Sequence, residues 1–109
     1  MDVKKQIEDL YHEVFNGGDA EAAAKYLAPG YRQHNPGVAD GLDGFIRTFG
    51  AAFASGKQFN LAVLKVIEGE GYAAVLIGNE RNPDGALVDI YRLDENGKFC
   101  EHWDIFGGR

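Results

Sequence analysis

The sequence predicts an α+β domain, with helices in its first half packed against one face of an antiparallel sheet built from its second half. Three observations lead there. Apolar residues recur at spacings of three and four as far as Phe53 and alternate with polar residues after it. Clusters rich in glycine, asparagine and acidic residues (NGGD, GEG, NPDG and DENG) punctuate the segments. The 109 residues contain no linker, repeat or low-complexity tract, so a single domain over residues 1–109 with one core is expected.

Each element has its own reason. Val3, Ile7, Leu10 and Val14 form the apolar stripe of a first amphipathic helix, with Lys4, Lys5, Glu8, Asp9 and Glu13 elsewhere on it. Asn16 to Asp19 stops that helix, and Asp19 caps a second one, AEAAAKYLA, which ends before Pro29-Gly30. Leu42, Phe45, Ile46, Phe49 and Phe53 mark a third helix, terminated by Ser55-Gly56-Lys57. Strands are expected over residues 59–68, 72–81, 86–93 and 98–106, with a hairpin at Gly69-Glu70-Gly71 and turns at Asn82 to Gly85 and Asp94 to Gly97.

Composition excludes several function classes. A formal charge of -6, from 17 acidic against 11 basic residues with no basic cluster, is unsuited to a phosphate backbone, so no nucleic-acid partner is expected. Cys100 is the single cysteine, which rules out an internal disulfide and a cysteine-built zinc cage. The first residues are charged throughout and lack the apolar core of a signal peptide, and no apolar run approaches the ~20 residues of a membrane helix. A cytoplasmic location and no membrane association are expected.

Chemistry gathers in the last hairpin. If Leu93 pairs with Lys98, Asp89 lies opposite His102, Tyr91 opposite Cys100 and Leu87 opposite Asp104, all on one sheet face. The other face would carry Val88, Ile90, Phe99, Trp103 and Ile105, with Arg92 and Glu101 as an ion pair. A change of one residue in register would bring Asp89 opposite Trp103 instead. His102 and Asp104 share a face in any register, their Cα atoms about 6.5–7 Å apart. On spacing alone two arrangements stay open. Helices cover the mixed face and bury Asp89, His102 and Asp104 in a partly apolar pocket, or solvent covers it and these are ordinary surface charges.

The stretches FNGGDAEAAAKYLAPGYRQHNPGVADGLDGFIRTF and VDIYRLDENGKFCEHWDIF resemble the SnoaL-like branch of the nuclear transport factor 2-like superfamily. The blocks Gln33-His34-Asn35-Pro36 and Glu101-His102-Trp103-Asp104 carry most of the resemblance. It implies a cone-shaped, cystatin-like α+β barrel in which three N-terminal helices pack inside a strongly curved antiparallel sheet, and a homodimer made through the outer sheet face. Polyketide cyclases of this type close a ring by an intramolecular aldol step using an acidic general acid/base, without metal or cofactor, and Asp104 matches that residue. The chain is short for such a cyclase and leaves little beyond its last strand to close a mouth.

These readings assign roles. Asp104 is the expected general acid/base, with His34, which the resemblance implies approaches the same mouth from the helical side, and His102 as further catalytic residues and Asp89 orienting His102. Tyr31, Asp89, Tyr91 and Trp103 are candidate ligand-contacting residues, although strand parity puts Trp103 on the face expected to form the core or a dimer interface. Two histidines and two aspartates could in principle hold a divalent ion, but no pair has helical spacing, and no metal or cofactor is expected. The function expected is cofactor-independent acid/base chemistry on a small apolar carbonyl compound, of the aldol cyclase or isomerase type. The alternative is a non-catalytic module of the same fold that binds a small hydrophobic ligand or dimerises.

Overall fold

The computed structural model describes residues 2–107; Met1, Gly108 and Arg109 lie outside the described residues. Helix α1 (Val3–Leu10) starts at Asp2, whose carboxylate accepts the Lys5 amide at 3.0 Å, and it buries Val3, Ile7 and Leu10. It runs on without a break into a wider π-helical turn, Tyr11–Asn16, which buries Tyr11 and Val14. Such widened turns recur at functional sites because they re-aim side chains within a helix. Gly17 then closes the helix, where a Cβ would lie 2.4 Å from the Glu13 carbonyl oxygen.

Asp19 caps the next segment as expected, accepting the Ala22 amide at 3.3 Å, but the segment is a short 3₁₀ helix, Ala20–Lys25. Leu27 and Ala28 are not its tail. They begin strand β1 (Leu27–Gln33), which pairs parallel with the last strand. Pro29 cannot donate to a ladder, which confines such a strand to a sheet edge, and β1 is indeed at the edge. The pairing is irregular between Leu27 and Arg32, where Pro29-Gly30 falls.

Helix α2 (Gly41–Ala54) follows, then β2 (Ala62–Gly69), β3 (Tyr72–Gly78), β4 (Leu87–Leu93) and β5 (Phe99–Phe106). The sheet order is β1-β5-β4-β3-β2, with every pairing antiparallel except β1 with β5. The β2–β3 reversal uses Glu70 and Gly71, both at positive φ (55° and 81°), a two-residue turn whose twist matches the strands. The helices cover the sheet face that carries Ala73, Val75, Ile77, Asp89, Tyr91, Phe99 and His102, all buried. This is the cone-shaped α+β architecture, and it resolves the question that strand spacing left open, because the mixed face is the covered one.

The last hairpin has a different register from the one expected. Arg92 pairs with Glu101 but Leu93 pairs with Phe99, so Cys100 is the extra residue of a β-bulge. Asp89 therefore lies opposite Asp104, Tyr91 opposite His102 and Leu87 opposite Phe106. The displacement is two residues, so Asp89, His102 and Asp104 keep their common face. The bulge reverses parity only behind it. Phe99 turns inward to 0% exposure, and Cys100 leaves the inner face, its Sγ 3.4 Å from the Arg92 carbonyl.

Candidate active site

Three parts of the chain deliver the polar side chains of the inner face. Strands β4 and β5 bring Asp89, His102 and Asp104 together by direct pairing. The end of β1 and the turn after it contribute Gln33 and Asn35, alternate residues on the inner side of a segment whose Gln33 pairs with His102. Tyr11 reaches the cluster from the π-helical turn, where it is fully buried.

His102 is the centre. Its Nε2 lies 3.0 Å from Asp89 Oδ1 and 2.8 Å from Asp104 Oδ1, and its Nδ1 lies 2.8 Å from Gln33 Oε1. The orientation of the Gln33 amide is fixed independently. The Asn35 backbone N–H can only donate, and it donates to Gln33 Oε1 at 3.2 Å, while Gln33 Nε2 donates to the Tyr31 hydroxyl. His102 Nδ1 must therefore carry a hydrogen, and Nε2 faces two carboxylates, so the protonated ring satisfies every neighbour. The rings of Tyr31 and Tyr91 stack on either side of it, with centroids 6.3 and 4.6 Å away, and their faces favour a cation.

Asp104 is oriented in the same way. Gly37 N–H donates to Asn35 Oδ1 at 2.8 Å, which turns Asn35 Nδ2 toward Asp104 Oδ2, to which it donates. The Tyr11 hydroxyl donates to Asp89 Oδ2, so the hydrogen shared at 2.7 Å between Tyr11 and Tyr91 is the one on Tyr91.

These contacts set the protonation states. Burial alone would depress the His102 imidazolium, but its bonds to Asp104 and Asp89 outweigh burial and lift it to about 9. Burial would raise Asp104, yet its bonds to His102 and Asn35 hold it well below the usual carboxylate range. Asp89, buried more deeply, is raised: burial exceeds the help it receives from His102 and Tyr11. Near neutral pH the site thus holds an ionised Asp104, a cationic His102 and a weaker acid, Asp89, behind them.

In front lies a cavity of about 430 Å³. Phe15, Phe45, Phe49 and Phe59 form an aromatic wall, Phe15 meeting the other three edge-on and the rest tilted, with centroids 4.5–6.2 Å apart where they touch. Asp104, Asp89, His102, Asn35, Gln33 and Tyr11 form the polar end. Among the described residues Asp89, His102 and Asp104 are the set that could hold a divalent ion, with ligand atoms within 4.8 Å of one another. Their charges are already mutually satisfied, since Nε2 lies between both carboxylates.

The structure separates the residues singled out from sequence. Asp104, His102 and Asp89 line the cavity together. His34 does not, which corrects its expected place at the mouth. It points to the outer sheet face, stacked on Trp103 at 4.6 Å and 4°, with Nε2 2.7 Å from Glu101 Oε2. Trp103 is likewise no cavity residue, because β5 parity turns it outward beside the Arg92–Glu101 ion pair. Tyr31 and Tyr91 are not among the cavity-lining residues and stack on His102. Sequence reasoning gave no role to Tyr11, Gln33 or Asn35. Tyr11 lies four residues after Ile7 and reads as a core position, whereas alternation along β1 would have turned Gln33 and Asn35 inward and His34 outward.

The Gln33 contact has a measurable consequence. In Gln33→Leu the His102 Nδ1–H loses its acceptor. That bond is worth about 1.5–3 kcal/mol to the charged ring and about 0.5–1.5 kcal/mol to the neutral one, so the His102 pKa should fall from about 9 by roughly 1 unit. An imidazole ¹⁵N NMR titration reads this directly, and an unchanged midpoint would remove Gln33 from the protonation of the site.

A family model described as a SnoaL-like domain matches residues 7–102. No curated protein matches the sequence significantly. Among solved structures, TsrD from Streptomyces laurentii is similar over 94% of this chain and 85% of its own, at 22% identity and a TM-score of 0.72. An NTF2-like protein of unknown function from Cytophaga hutchinsonii is similar over 98% and 91%, at 16% identity and a TM-score of 0.75. IdmH from Streptomyces antibioticus, described as a candidate polyketide cyclase, is similar over 96% and 91%, at 20% identity and a TM-score of 0.70. At these identities the likeness speaks for the fold, and fold does not fix reaction.

Proposed function

We propose that this chain, which belongs to the SnoaL-like domain family, uses Asp104 as a general acid/base on a small, largely apolar carbonyl compound, without a cofactor. The observation that carries the reading is an ionised carboxylate, held by His102 and Asn35, at the polar end of an aromatic cavity. Bonded to His102 and Asn35, Asp104 is a weak base. A ligand that fills the cavity strips water from its exposed side, and desolvation of a carboxylate strengthens it as a base. Asp104 then takes a proton from the carbon beside the carbonyl. Asn35 Nδ2 carries a second hydrogen besides the one given to Asp104, and that hydrogen is suited to meet the enolate oxygen. Return of the proton to another carbon gives an isomer; attack of the enolate on a second carbonyl forms the ring bond and an alkoxide, which takes the proton back from Asp104 to give the aldol.

One observation favours a second reading, ligand binding without turnover. The Tyr11 hydroxyl and one Asn35 amide hydrogen are already donated to protein carboxylates, which leaves few donors for a developing oxyanion. The two readings part on exchange of α-hydrogens for deuterium in an enolisable aryl ketone such as 2-tetralone, followed by ¹H NMR. Catalysis predicts exchange well above buffer that is lost in Asp104→Asn. Saturable binding of the ketone without exchange selects the second reading.

The reading extends to assembly as a homodimer through the outer sheet face. Ile67 and Ile105 are 61% and 54% exposed there, with Tyr72, Leu76 and Trp103 on the same face, an apolar surface of the kind that marks an interaction site. Wild-type protein should sediment as a dimer at micromolar concentration and Ile67→Lys/Ile105→Lys as a monomer. A monomeric wild type would end this part of the reading.

A further inference from the structure

We propose that the cavity mouth carries an anion subsite at Lys57, so that the ligand is an elongated apolar molecule bearing a carboxylate, or a comparable anion, at the end away from Asp104. The inference rests on the functional reading above for the orientation of the ligand but not for the existence of the subsite.

Apart from His102, Lys57 is the one basic side chain among the residues lining the cavity. Its placement is built, although the side chain is exposed. The end of α2 is closed by Gly56 at φ +95°, with the Gly56 amide on the Phe53 carbonyl and the Lys57 amide on the Ala52 carbonyl at 3.0 Å each. That cap fixes where the Lys57 backbone leaves the helix. The ammonium lies 5.3 Å from the centroid of the Phe59 ring, itself a cavity wall, which holds the charge at the rim. No carboxylate among the described residues lies within ion-pair distance of it, and the acidic side chain bonded on the adjoining segment, Glu80, is engaged by Asn60 Nδ2 at 2.9 Å.

A second donor lines the same cavity. Asn79 has its Oδ1 occupied by the Asn82 amide at 2.7 Å, which leaves its Nδ2 without a protein acceptor. The lining therefore carries two carboxylates, Asp89 buried and Asp104 half-buried, and on other segments an exposed cation and a half-buried amide with no protein acceptor. An anionic group would be repelled from Asp104 and drawn to Lys57, and that fixes which end of the ligand meets the base. A cation just past a helix C-terminus also has a purely structural use, since it complements the helix dipole. A test must separate the two.

The probes are 2-naphthaleneacetate and its primary amide, matched in shape and differing in charge, titrated calorimetrically into the intact protein at low salt. The acid should bind about two- to fivefold more tightly than the amide, the range of an exposed ion pair. That preference should vanish in Lys57→Gln and in high salt, with the amide's affinity unchanged. Equal affinities in the wild type, an equal loss for both probes in Lys57→Gln, or no binding of either probe would each overturn the subsite. Binding is read here without turnover. A missing deuterium exchange would sink the acid/base reading and leave this result standing, whereas equal affinities would do the reverse.

Discussion

Asp104→Asn is expected to slow deuterium exchange of a bound ketone by about 10²–10⁴-fold, the usual contribution of a positioned acid/base, while ketone affinity changes little. The substitution is nearly isosteric and leaves the aromatic wall intact, so binding that depends on burial of apolar surface should persist. What it removes is the anion that His102 and Asn35 hold at the end of the cavity. His102 also loses one of the two carboxylates on its Nε2, and its pKa must fall from about 9. Both readouts move together only if Asp104 and His102 form one unit facing the ligand. A variant that exchanges at the wild-type rate excludes Asp104 as the base, whatever its effect on His102. Stability should fall as well, because a carboxylate held below its usual range stabilises the fold in its ionised form, and Asn at this position leaves His102 with one carboxylate instead of two.

The parts of this molecule that were legible in sequence are those governed by short-range periodicity. Val3, Ile7, Leu10 and Val14 announce their helix because burial of one face imposes a spacing near 3.6, and all four are buried. Asp89, His102 and Asp104 could be assigned to one face because alternation along a strand survives any even shift of register. What was hidden depends on contacts between distant segments. Strand β1 is masked by the alanine-rich helix before it and by Pro29-Gly30, which reads as a terminator; its partner, β5, lies some 70 residues on. Without that strand His34 had no assigned face, so it was placed at the cavity mouth instead of against Trp103. The bulge at Cys100 left the alternation of the residues after it intact and so gave no signal, yet it moved every cross-strand partner by two. Tyr11 was invisible for a different reason: a tyrosine on the buried stripe of a helix is indistinguishable from core until Asp89 is seen against its hydroxyl.

Removing His102 should have the largest effect on stability. In His102→Leu, Asp89 and Asp104 face each other across paired strands with no cation between them, and breaking a buried ion pair in this way costs about 3–5 kcal/mol. The wild type carries the signature of the same interaction in its pH dependence. A histidine held at about 9 in the folded state and about 6.5 in the unfolded chain stabilises the fold fully below pH 6.5. Between about 6.5 and 9 the folded protein retains a proton that the unfolded chain has lost, so stability falls by about 1.4 kcal/mol per pH unit, roughly 3 kcal/mol in all, and then levels. Above pH 10 a second fall begins, because Tyr11 and Tyr91, raised well above their ordinary value chiefly by burial, ionise in the unfolded chain first. On the acid side Asp104, lowered, and Asp89, raised, act in opposite directions, so the limb between pH 6.5 and 9 is the diagnostic one. Urea denaturation across that range should show the decline in the wild type and its absence in His102→Leu, whose stability should instead improve in acid as the facing carboxylates take up a proton. A flat wild-type profile from pH 6.5 to 9 would mean that His102 is neutral when folded. Asp104 would then be an ordinary carboxylate without its cation, and the acid/base unit assembled by Gln33, Asn35 and Tyr11 would lose the charge on which it is built.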